Sequence, residues 1–338
     1  MKETYLYVTG ANAAYFPLVA TLLGSFETFV PHSQLMVCDF GLTEGQARFF
    51  ANLGILLPKP DDILPHQHPY YYKACVGHYI KDLDFDVLVW IDSDCVIVGP
   101  ITQFLSQYLA TVDPKQEAFL ACPDSAGKTI AEFVATFPDP NEPFVQNKLA
   151  QLPRAYQESY LSAGLFAIRS RSVLAAYHET VQITPPHFLY DQNILNYLVY
   201  KNALHVIKLN WMQWNISGPY LNDLVVDTSG GVLAVRHGHD RVWNIHLSDG
   251  KEQTALKLTL LNIEIEGQYL LGLLREPVHP LLKELTTLFL SRFLLNNPTR
   301  KRLLLESGAL LPENPAQSGI PIPDNPVYKL YLGGAWKG

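Results

Sequence analysis

Residues 87–98 read VLVWIDSDCVIV, an apolar run, a short polar segment and a second apolar run. The first run, VLVWI at 87–91, is apolar at every position, which is typical of a central β-strand covered on both faces. Such a strand predicts an α/β sheet, and ligands of these sheets bind beyond the carboxyl ends of the strands. Asp92, Ser93 and Asp94 follow the strand directly, so the sequence places two carboxylates at the ligand-binding end.

Asp92 and Asp94 have the chemistry of metal ligands. On an extended chain, side chains two residues apart point to the same side. Hard oxygen ligands suit Mg²⁺ or Mn²⁺, and an ion held this way commonly bridges phosphate oxygens. The alternative is that both aspartates are solvated turn residues after a strand, because a D-x-D triplet alone is common.

The elements before this stretch alternate between strand and helix. Strands are predicted at 5–10 (YLYVTG) and 35–40 (LMVCDF), and helices at 15–29, at 42–54 and at 71–83. For the second helix, Thr43 is the predicted N-cap and Gly54 the C-terminal stop. This alternation predicts an α/β sheet with helices on both faces.

The second half of the chain is less regular. Strands are predicted at 119–123, 164–170 and 205–209, a helix near Asp191, and a hairpin in which 232–237 and 242–247 flank GHDR. From about residue 251 the text is Leu-rich and is predicted to be helical. Its apolar stripe consists of Leu281, Leu285, Leu288, Phe289 and Phe293, and a proline-rich tail follows.

The composition of the chain argues against some classes of function. The 338 residues include 25 Lys and Arg against 32 Asp and Glu, a net charge of −7, which argues against a protein that neutralises nucleic-acid phosphates over a basic face. MKETYLYVTG lacks the order of a signal peptide, and no apolar run is long enough to span a bilayer, so a cytoplasmic protein is expected. The four cysteines, Cys38, Cys75, Cys95 and Cys122, lack metal-type spacing and are predicted to be reduced, partly buried thiols.

Several segments, in the expected order over residues 4–250, resemble the retaining GT-A glycosyltransferases of family 8, the group of bacterial lipooligosaccharide galactosyltransferases and glycogenin. They are YVTGANAAYFPLVATLLGSF, YYYKACVGHYI, WIDSDCVIV, YLSAGLFAIRS, DQNILNYLV and NIHLSDGKEQ. The resemblance implies a GT-A fold, which is Rossmann-like with a mixed, mostly parallel sheet. It also implies a catalytic domain over 1–250. Residues 251–338 lie outside the resemblance, and their Leu-rich text predicts a helical C-terminal extension.

The resemblance also assigns residue roles. Metal ligands for Mn²⁺ or Mg²⁺ would be Asp92, Asp94 and His246. Asp191 would bind hydroxyls of the donor sugar and Gln192 would face the anomeric carbon, although Asp191 also suits a helix N-cap. The implied donor-binding residues are Thr9, Asn12, Tyr15, Lys73, Ser93, Ser162, Ala163, Gly164 and Lys251. Ser162 stands where the family has Asn, and the spacing around Lys251 departs from the family pattern.

The leading hypothesis is a metal-dependent transferase that moves glucose or galactose from a UDP-hexose to a saccharide or glycoconjugate acceptor. A nucleotide-sugar hydrolase or nucleotidyltransferase, and an inactive carbohydrate-binding relative, are the alternatives. For the extension, peripheral contact with the inner face of the membrane is weighed against packing on the chain's own core, and packing is favoured because apolar stripes at helical spacing are usually core.

Overall fold

The computed structural model describes residues 3–66, 69–124, 127–152, 157–227, 233–247, 258–260, 263–270, 273–275 and 280–310. The strands are β1 (Tyr5–Ala11), β2 (Leu35–Asp39), β3 (Leu56–Leu57), β4 (Val87–Ile91), β5 (Cys95–Ile97), β6 (Ala118–Pro123), β7 (Leu161–Arg169), β8 (His205–Lys208), β9 (Leu224–Asp227), β10 (Ala234–His237), β11 (Asp240–Arg241), β12 (Asn244–His246), β13 (Leu258–Leu260), β14 (Ile263–Ile265), β15 (Gln268–Leu270) and β16 (Leu273–Arg275). The α-helices are α1 (Phe16–Phe29), α2 (Glu44–Asn52), α3 (Pro69–Ala74), α4 (Val76–Tyr79), α5 (Ile101–Leu109), α6 (Ile130–Ala135), α7 (Arg171–Ile183), α8 (Tyr190–Lys201), α9 (Trp211–Trp214), α10 (Pro280–Leu290) and α11 (Pro298–Ser307). Within these ranges, no helix combines the length and apolar character that crossing a bilayer requires.

Seven strands form the main sheet, in the order β3-β2-β1-β4-β7-β6-β8. The pairs β1–β4, β2–β3 and β6–β8 are parallel, whereas β7 runs antiparallel to both β4 and β6. The VLVWI run is β4, which lies between β1 and β7, and all five of its residues are buried. The predicted central strand and the mixed, mostly parallel sheet are both confirmed.

The chain divides into two compact units that interleave along the sequence. Unit 1 comprises Met1–Val8, Pro60–Ile91 and Ile101–Asn215, and unit 2 comprises Thr9–Lys59, Asp92–Pro100 and Ile216–Gly338. The division into a catalytic domain over 1–250 and an extension over 251–338 stays a prediction.

In unit 1, the single helix predicted over 71–83 is two short helices, α3 and α4. The break falls at Cys75, whose N–H is shared between the carbonyls of Tyr71 and Tyr72 at 3.2 and 3.1 Å. This tighter hydrogen bonding ends α3. Both short helices pack on α7, and a Cβ at Gly77 would stand 2.9 Å from the carbonyl oxygen of Leu174, so α4 approaches α7 closely.

In unit 2, helix α2 begins and ends as the sequence predicts. The Thr43 hydroxyl accepts a hydrogen bond from the Gln46 N–H at 3.2 Å, and the Gln46 side chain accepts one from the Thr43 N–H at 3.0 Å. This reciprocal capping satisfies two donors that the helix itself leaves open. Gly54 takes a φ of +70°, a left-handed conformation that suits glycine and stops the helix.

The core of unit 2 includes the start of the C-terminal helices. Leu285 and Phe289 of α10 are buried in one cluster with Leu18 of α1 and with residues of β5, β9, β10 and β12. A Cβ at Gly24 would lie 2.2 Å from the carbonyl oxygen of Phe289, so only glycine permits this approach of α1 to α10. Part of the predicted apolar stripe is therefore core, and helices at the C-terminus are confirmed.

The predicted hairpin of 232–237 and 242–247 is wrong in its second strand. β10 turns back through Gly238, which has a φ of +59°, into the two-residue strand β11. The following residues form β12, which pairs with β5 instead. This pairing buries Ile245 in the apolar cluster that also contains Val96, a long-range contact that local spacing does not reveal.

The helical prediction from residue 251 onward is wrong for the described residues 258–260, 263–270 and 273–275, whereas 251–257 lie outside the described residues. β13 pairs with β16 and β14 with β15, both antiparallel. The turn between β14 and β15 is Glu266-Gly267, with φ of +52° and +78°. Two consecutive left-handed residues match the right-handed twist of a two-stranded hairpin, and this turn overrides the helical character of the Leu-rich text.

Candidate functional site

The segment Asp92-Ser93-Asp94 is a turn that joins β4 to β5. It is closed by a hydrogen bond of 3.0 Å from the Cys95 N–H to the Asp92 carbonyl oxygen. The expected extended backbone at Asp92–Asp94 is therefore wrong, because this segment is a turn, although both carboxylates face His246. Asp94 is buried, whereas Asp92 and Ser93 are half-buried.

Backbone pairing brings His246 to this turn. β12 runs antiparallel to β5 with His246 opposite Cys95, and the Leu247 N–H donates to the Asp94 carbonyl oxygen at 2.9 Å. The His246 Nε2 atom lies 3.3 Å from Asp94 Oδ1 and 4.0 Å from Asp92 Oδ2. We call Asp92, Asp94 and His246 the cation cluster. The structure thus brings all three residues of the predicted ligand set together.

Electrostatics in the cation cluster favour positive charge. Burial lowers the pKa of the His246 imidazole, but the Asp94 and Asp92 carboxylates outweigh it and raise the pKa to about 9. At neutral pH the His246 imidazole is therefore protonated. A divalent cation would displace the imidazole proton and face two oxygen donors and one nitrogen donor, a set that fits Mn²⁺ or Mg²⁺.

A second group of predicted site residues lies in unit 1, on α8 and the elements packed on it. Lys73 Nζ is 3.4 Å from Asp191 Oδ2, and both side chains are buried. The Lys73 ammonium also lies 5.8 Å from the centre of the Trp90 ring. Asp191 is in the first turn of α8 but is not its N-cap, which is Leu189. The N-cap alternative for Asp191 is therefore wrong.

Both the oxygen and the nitrogen of the Gln192 side-chain amide are hydrogen-bonded. Its Oε1 accepts a hydrogen bond from the Ala163 N–H of β7 at 2.9 Å, and its Nε2 donates to Asp124 Oδ2 at 2.7 Å. One turn later, Asn196 bonds both the N–H and the carbonyl oxygen of Leu161 at 2.8 Å. The DQNILN sequence therefore docks α8 along β7 through its amides, and it holds Gln192 in one orientation. We call Lys73, Asp124, Ala163, Asp191 and Gln192 the amide cluster.

Ser162 and Gly164 lie beside Ala163 on β7. The Ser162 hydroxyl oxygen accepts hydrogen bonds from the Asn215 side chain and from the Gly164 N–H, each at 3.2 Å. Ser162 is therefore buried and bonded within unit 1.

The first loop of unit 2 holds the residues expected to contact the base. Asn12 Oδ1 accepts from the N–H groups of Ala14 and Tyr15 at 3.1 and 3.2 Å, which fixes a 3-10 turn over Ala13–Tyr15. Tyr15 is half-buried. Thr9 is buried, and its hydroxyl has no hydrogen-bond partner among the residues that the structure describes. Lys251 lies outside the described residues.

Sequence reasoning missed two neighbours of these clusters. Asp124 follows β6 directly, and its position at a strand end is a signal that could have singled it out. Cys95 follows Asp94 in the chain, and a ligand atom of Cys95 lies within 4.8 Å of ligand atoms of Asp94 and His246. The spacing of the four cysteines gives no indication of this proximity, because the neighbours of Cys95 at the site are an aspartate and a histidine.

Solved structures that are similar to this chain include three glycosyltransferases. The bifunctional glycosyltransferase WbbM superposes with a TM-score of 0.50 at 13% identity over 90% of this chain and 51% of that one. This chain therefore spans about half the length of WbbM. The galactosyltransferase LgtC with donor and acceptor sugar analogs gives 0.42 at 20% identity over 63% and 75%. GlyE of Streptococcus pneumoniae TIGR4 gives 0.47 at 11% identity over 93% and 66%.

No protein-family model matches the sequence, and no curated protein matches it. The superposition on WbbM concerns the fold alone, and the mixed, mostly parallel sheet with helices that the GT-A expectation requires is present in this chain.

Proposed function

We propose that the chain is a metal-dependent, retaining glycosyltransferase. It moves glucose or galactose from a UDP-hexose to a saccharide, glycolipid or protein-linked glycan. The observation that carries this proposal is the convergence of Asp92, Asp94 and His246, with His246 Nε2 and Asp94 Oδ1 3.3 Å apart, in a chain with a glycosyltransferase fold.

In this proposal, Asp92, Asp94 and His246 hold Mn²⁺ or Mg²⁺. The bound cation supplies positive charge that stabilises the departing nucleoside diphosphate. Thr9, Asn12, Tyr15 and Ser93 would contact the nucleotide, and Lys251 the donor phosphates. Support for the nucleotide role comes from Thr9, whose buried hydroxyl is unpartnered among the described residues.

The amide cluster would hold the sugar. Asp191 is oriented by Lys73 at 3.4 Å, so its carboxylate is prepared to accept hydrogen bonds from hydroxyls. Gln192 would face the anomeric carbon with its amide fixed by Ala163 and Asp124. An amide is a poor nucleophile, so Gln192 orients and stabilises the donor and forms no bond to it.

Retention then follows without an enzyme nucleophile. The bond from the anomeric carbon to the diphosphate oxygen breaks, and the acceptor hydroxyl oxygen bonds to that carbon from the same face. The hydroxyl proton passes to the departing phosphate oxygen, which acts as the base. The residues of this chain bind and orient the donor through these steps.

The proposal is tested by measuring thermal stabilisation of the full chain by UDP, GDP and their sugars, with Mn²⁺ or with EDTA. UDP release is then followed with a panel of saccharide acceptors, and the anomeric configuration of the product is read by NMR. We expect stabilisation by a UDP-hexose only with the cation, acceptor-dependent UDP release and a retained configuration. An equal rate of UDP release without acceptor would indicate a hydrolase, and binding without turnover an inactive relative.

For the extension, the described contacts support packing within unit 2. Leu285 and Phe289 are buried, and Arg300 forms a two-pronged ion pair with Glu27 at 2.7 and 2.8 Å. Among the stripe residues whose side chains the structure describes, Leu288 is 50% exposed and open to a membrane surface. We propose a cytoplasmic protein whose extension serves mainly as core. Liposome flotation of the full chain and of Leu288→Glu tests this, because equal flotation of both would exclude the stripe as an anchor.

A further inference from the structure

Cys95 faces the cation cluster from the same side of a two-stranded ribbon. In the β5–β12 pair, Cys95 stands directly opposite His246 and Ile97 opposite Asn244. Residues directly opposite each other in an antiparallel pair project to one face, with Cβ atoms about 5 Å apart. The thiol and the imidazole therefore share a face, at the end of the ribbon where the Asp94 turn begins.

The ligand atoms are close enough to share one ion. One ligand atom each from Asp94, Cys95 and His246 lie within 4.8 Å of one another. Ligand atoms bound to one tetrahedral ion are about 3.5 Å apart, given metal–ligand bonds of about 2.0–2.3 Å. The distance of 3.3 Å between His246 Nε2 and Asp94 Oδ1 is already close to this value.

The surroundings of Cys95 suit a coordinated sulfur. The side chain is buried, and the Asn244 Nδ2 atom donates to Cys95 Sγ at 3.5 Å. A hydrogen bond to sulfur from outside the ligand set orients the thiol. Asn244 thus provides the kind of supporting contact that metal-bound cysteines have.

We propose that Cys95 is a further ligand of this site, which together with Asp94 and His246 binds a thiophilic divalent cation of the Zn²⁺ or Cd²⁺ type. The thiol proton leaves to solvent as the metal–sulfur bond forms. A hard ion such as Mn²⁺ gains little from sulfur and would use the carboxylates and the imidazole, whereas Zn²⁺ and Cd²⁺ exchange an oxygen donor for sulfur. Ion binding is measured directly, so the proposal stands or falls separately from glycosyl transfer.

The test is titration of the metal-free full chain with Cd²⁺, followed by the ultraviolet absorbance of thiolate-to-cadmium charge transfer. Wild-type protein should develop this band with one equivalent of Cd²⁺. Cys95→Ser should lose the band and bind Cd²⁺ roughly 100-fold more weakly, the scale at which losses around metal sites weaken binding. Its Kd for Mn²⁺, measured in parallel by calorimetry, should change by less than about threefold because the hard donors remain.

Cys122→Ser is the matched control, because Cys122 is also a buried free thiol but lies on β6 in unit 1. It should behave as wild type. A wild-type titration without the charge-transfer band, or a Cys95→Ser variant that keeps both band and affinity, would overturn the proposal. If Cys95→Ser does not fold, the ¹¹³Cd NMR shift of the wild-type complex decides, because sulfur coordination moves the resonance far from the range of purely oxygen and nitrogen ligands.

Discussion

The cation cluster of unit 2 and the amide cluster of unit 1 differ in how the charge of their carboxylates is balanced. The cation cluster gathers two carboxylates around one imidazole, and its imidazole needs a proton to balance them. In the amide cluster, the buried Asp191 carboxylate has a permanent cation, Lys73, at 3.4 Å, and Gln192 is bonded at both ends. The first arrangement is suited to an exchangeable ion, and the second to a fixed orientation. Changes in the first should therefore affect ligand binding most, and changes in the second should affect stability or geometry.

The largest expected effect is that of Asp94→Ala on activity. Removing this carboxylate deletes the closest partner of His246 and one cation ligand, so kcat/KM for transfer should fall by roughly 10³-fold. The exposed Asp240→Ala serves as the control and should keep wild-type activity. Full activity of Asp94→Ala in Mn²⁺-free buffer would refute the cation assignment.

Lys73→Ala should mainly reduce the stability of the fold, whereas Asp94→Ala should mainly reduce activity. It leaves the Asp191 carboxylate buried without its partner, and breaking such a pair costs about 3 kcal/mol of unfolding free energy. Urea denaturation measures this. The double variant Lys73→Met, Asp191→Leu should recover most of the loss, since no buried charge is left behind. Equal destabilisation by the single and double variants would show that packing, and not charge, is responsible.

Asp124→Ala should affect the geometry of the amide cluster. The Gln192 amide then loses the acceptor at 2.7 Å and can rotate, so kcat should fall by roughly 10–100-fold while KM changes less. Asp124→Asn retains an oxygen acceptor at the same place and should keep most of the activity. Steady-state kinetics with a UDP-hexose compares the two, and an equal loss in both would indicate a role for the negative charge itself.

The smallest effect concerns pH and the metal-free chain. The pKa of His246 is raised from 6.5 to about 9, so protonation of the imidazole stabilises the fold fully below about pH 6.5. This contribution is lost as the pH rises to about 9. The Tm in EDTA should therefore fall over this range, and His246→Gln should show a weaker fall. Mn²⁺ affinity should rise over the same range, because the ion competes with the imidazole proton.

Local sequence signals predicted much of the fold. The all-apolar VLVWI run identified the central strand, and Thr43 and Gly54 marked the ends of α2. Where local signals conflicted, the prediction was wrong. Leu-rich text favoured a helix from residue 251 onward, but the Glu266-Gly267 turn makes 263–270 a hairpin.

The candidate site was likewise predicted in some parts and missed in others. The motifs and their order along the sequence predicted Asp92, Asp94, His246 and Gln192 as site residues. The segment Asp92-Ser93-Asp94 was expected to be extended, but the chain forms a turn there. It missed Cys95 and Asp124 because their partners are remote in the chain. Cys95 meets the side chain of Asn244 from 149 residues away, and Asp124 meets Gln192 from 68 residues away.

The sequence alone determined most of the strands and helices and which residue types could bind a cation, because hydrophobic patterning and capping act over a few residues. Only the tertiary structure decided that β12 pairs with β5, which sets His246 beside Asp94 and Cys95. That pairing is fixed by burying Ile245 and Val96 in a shared apolar core, and such burial depends on many distant side chains at once. The identity of the ligand set is therefore a property of the packed fold.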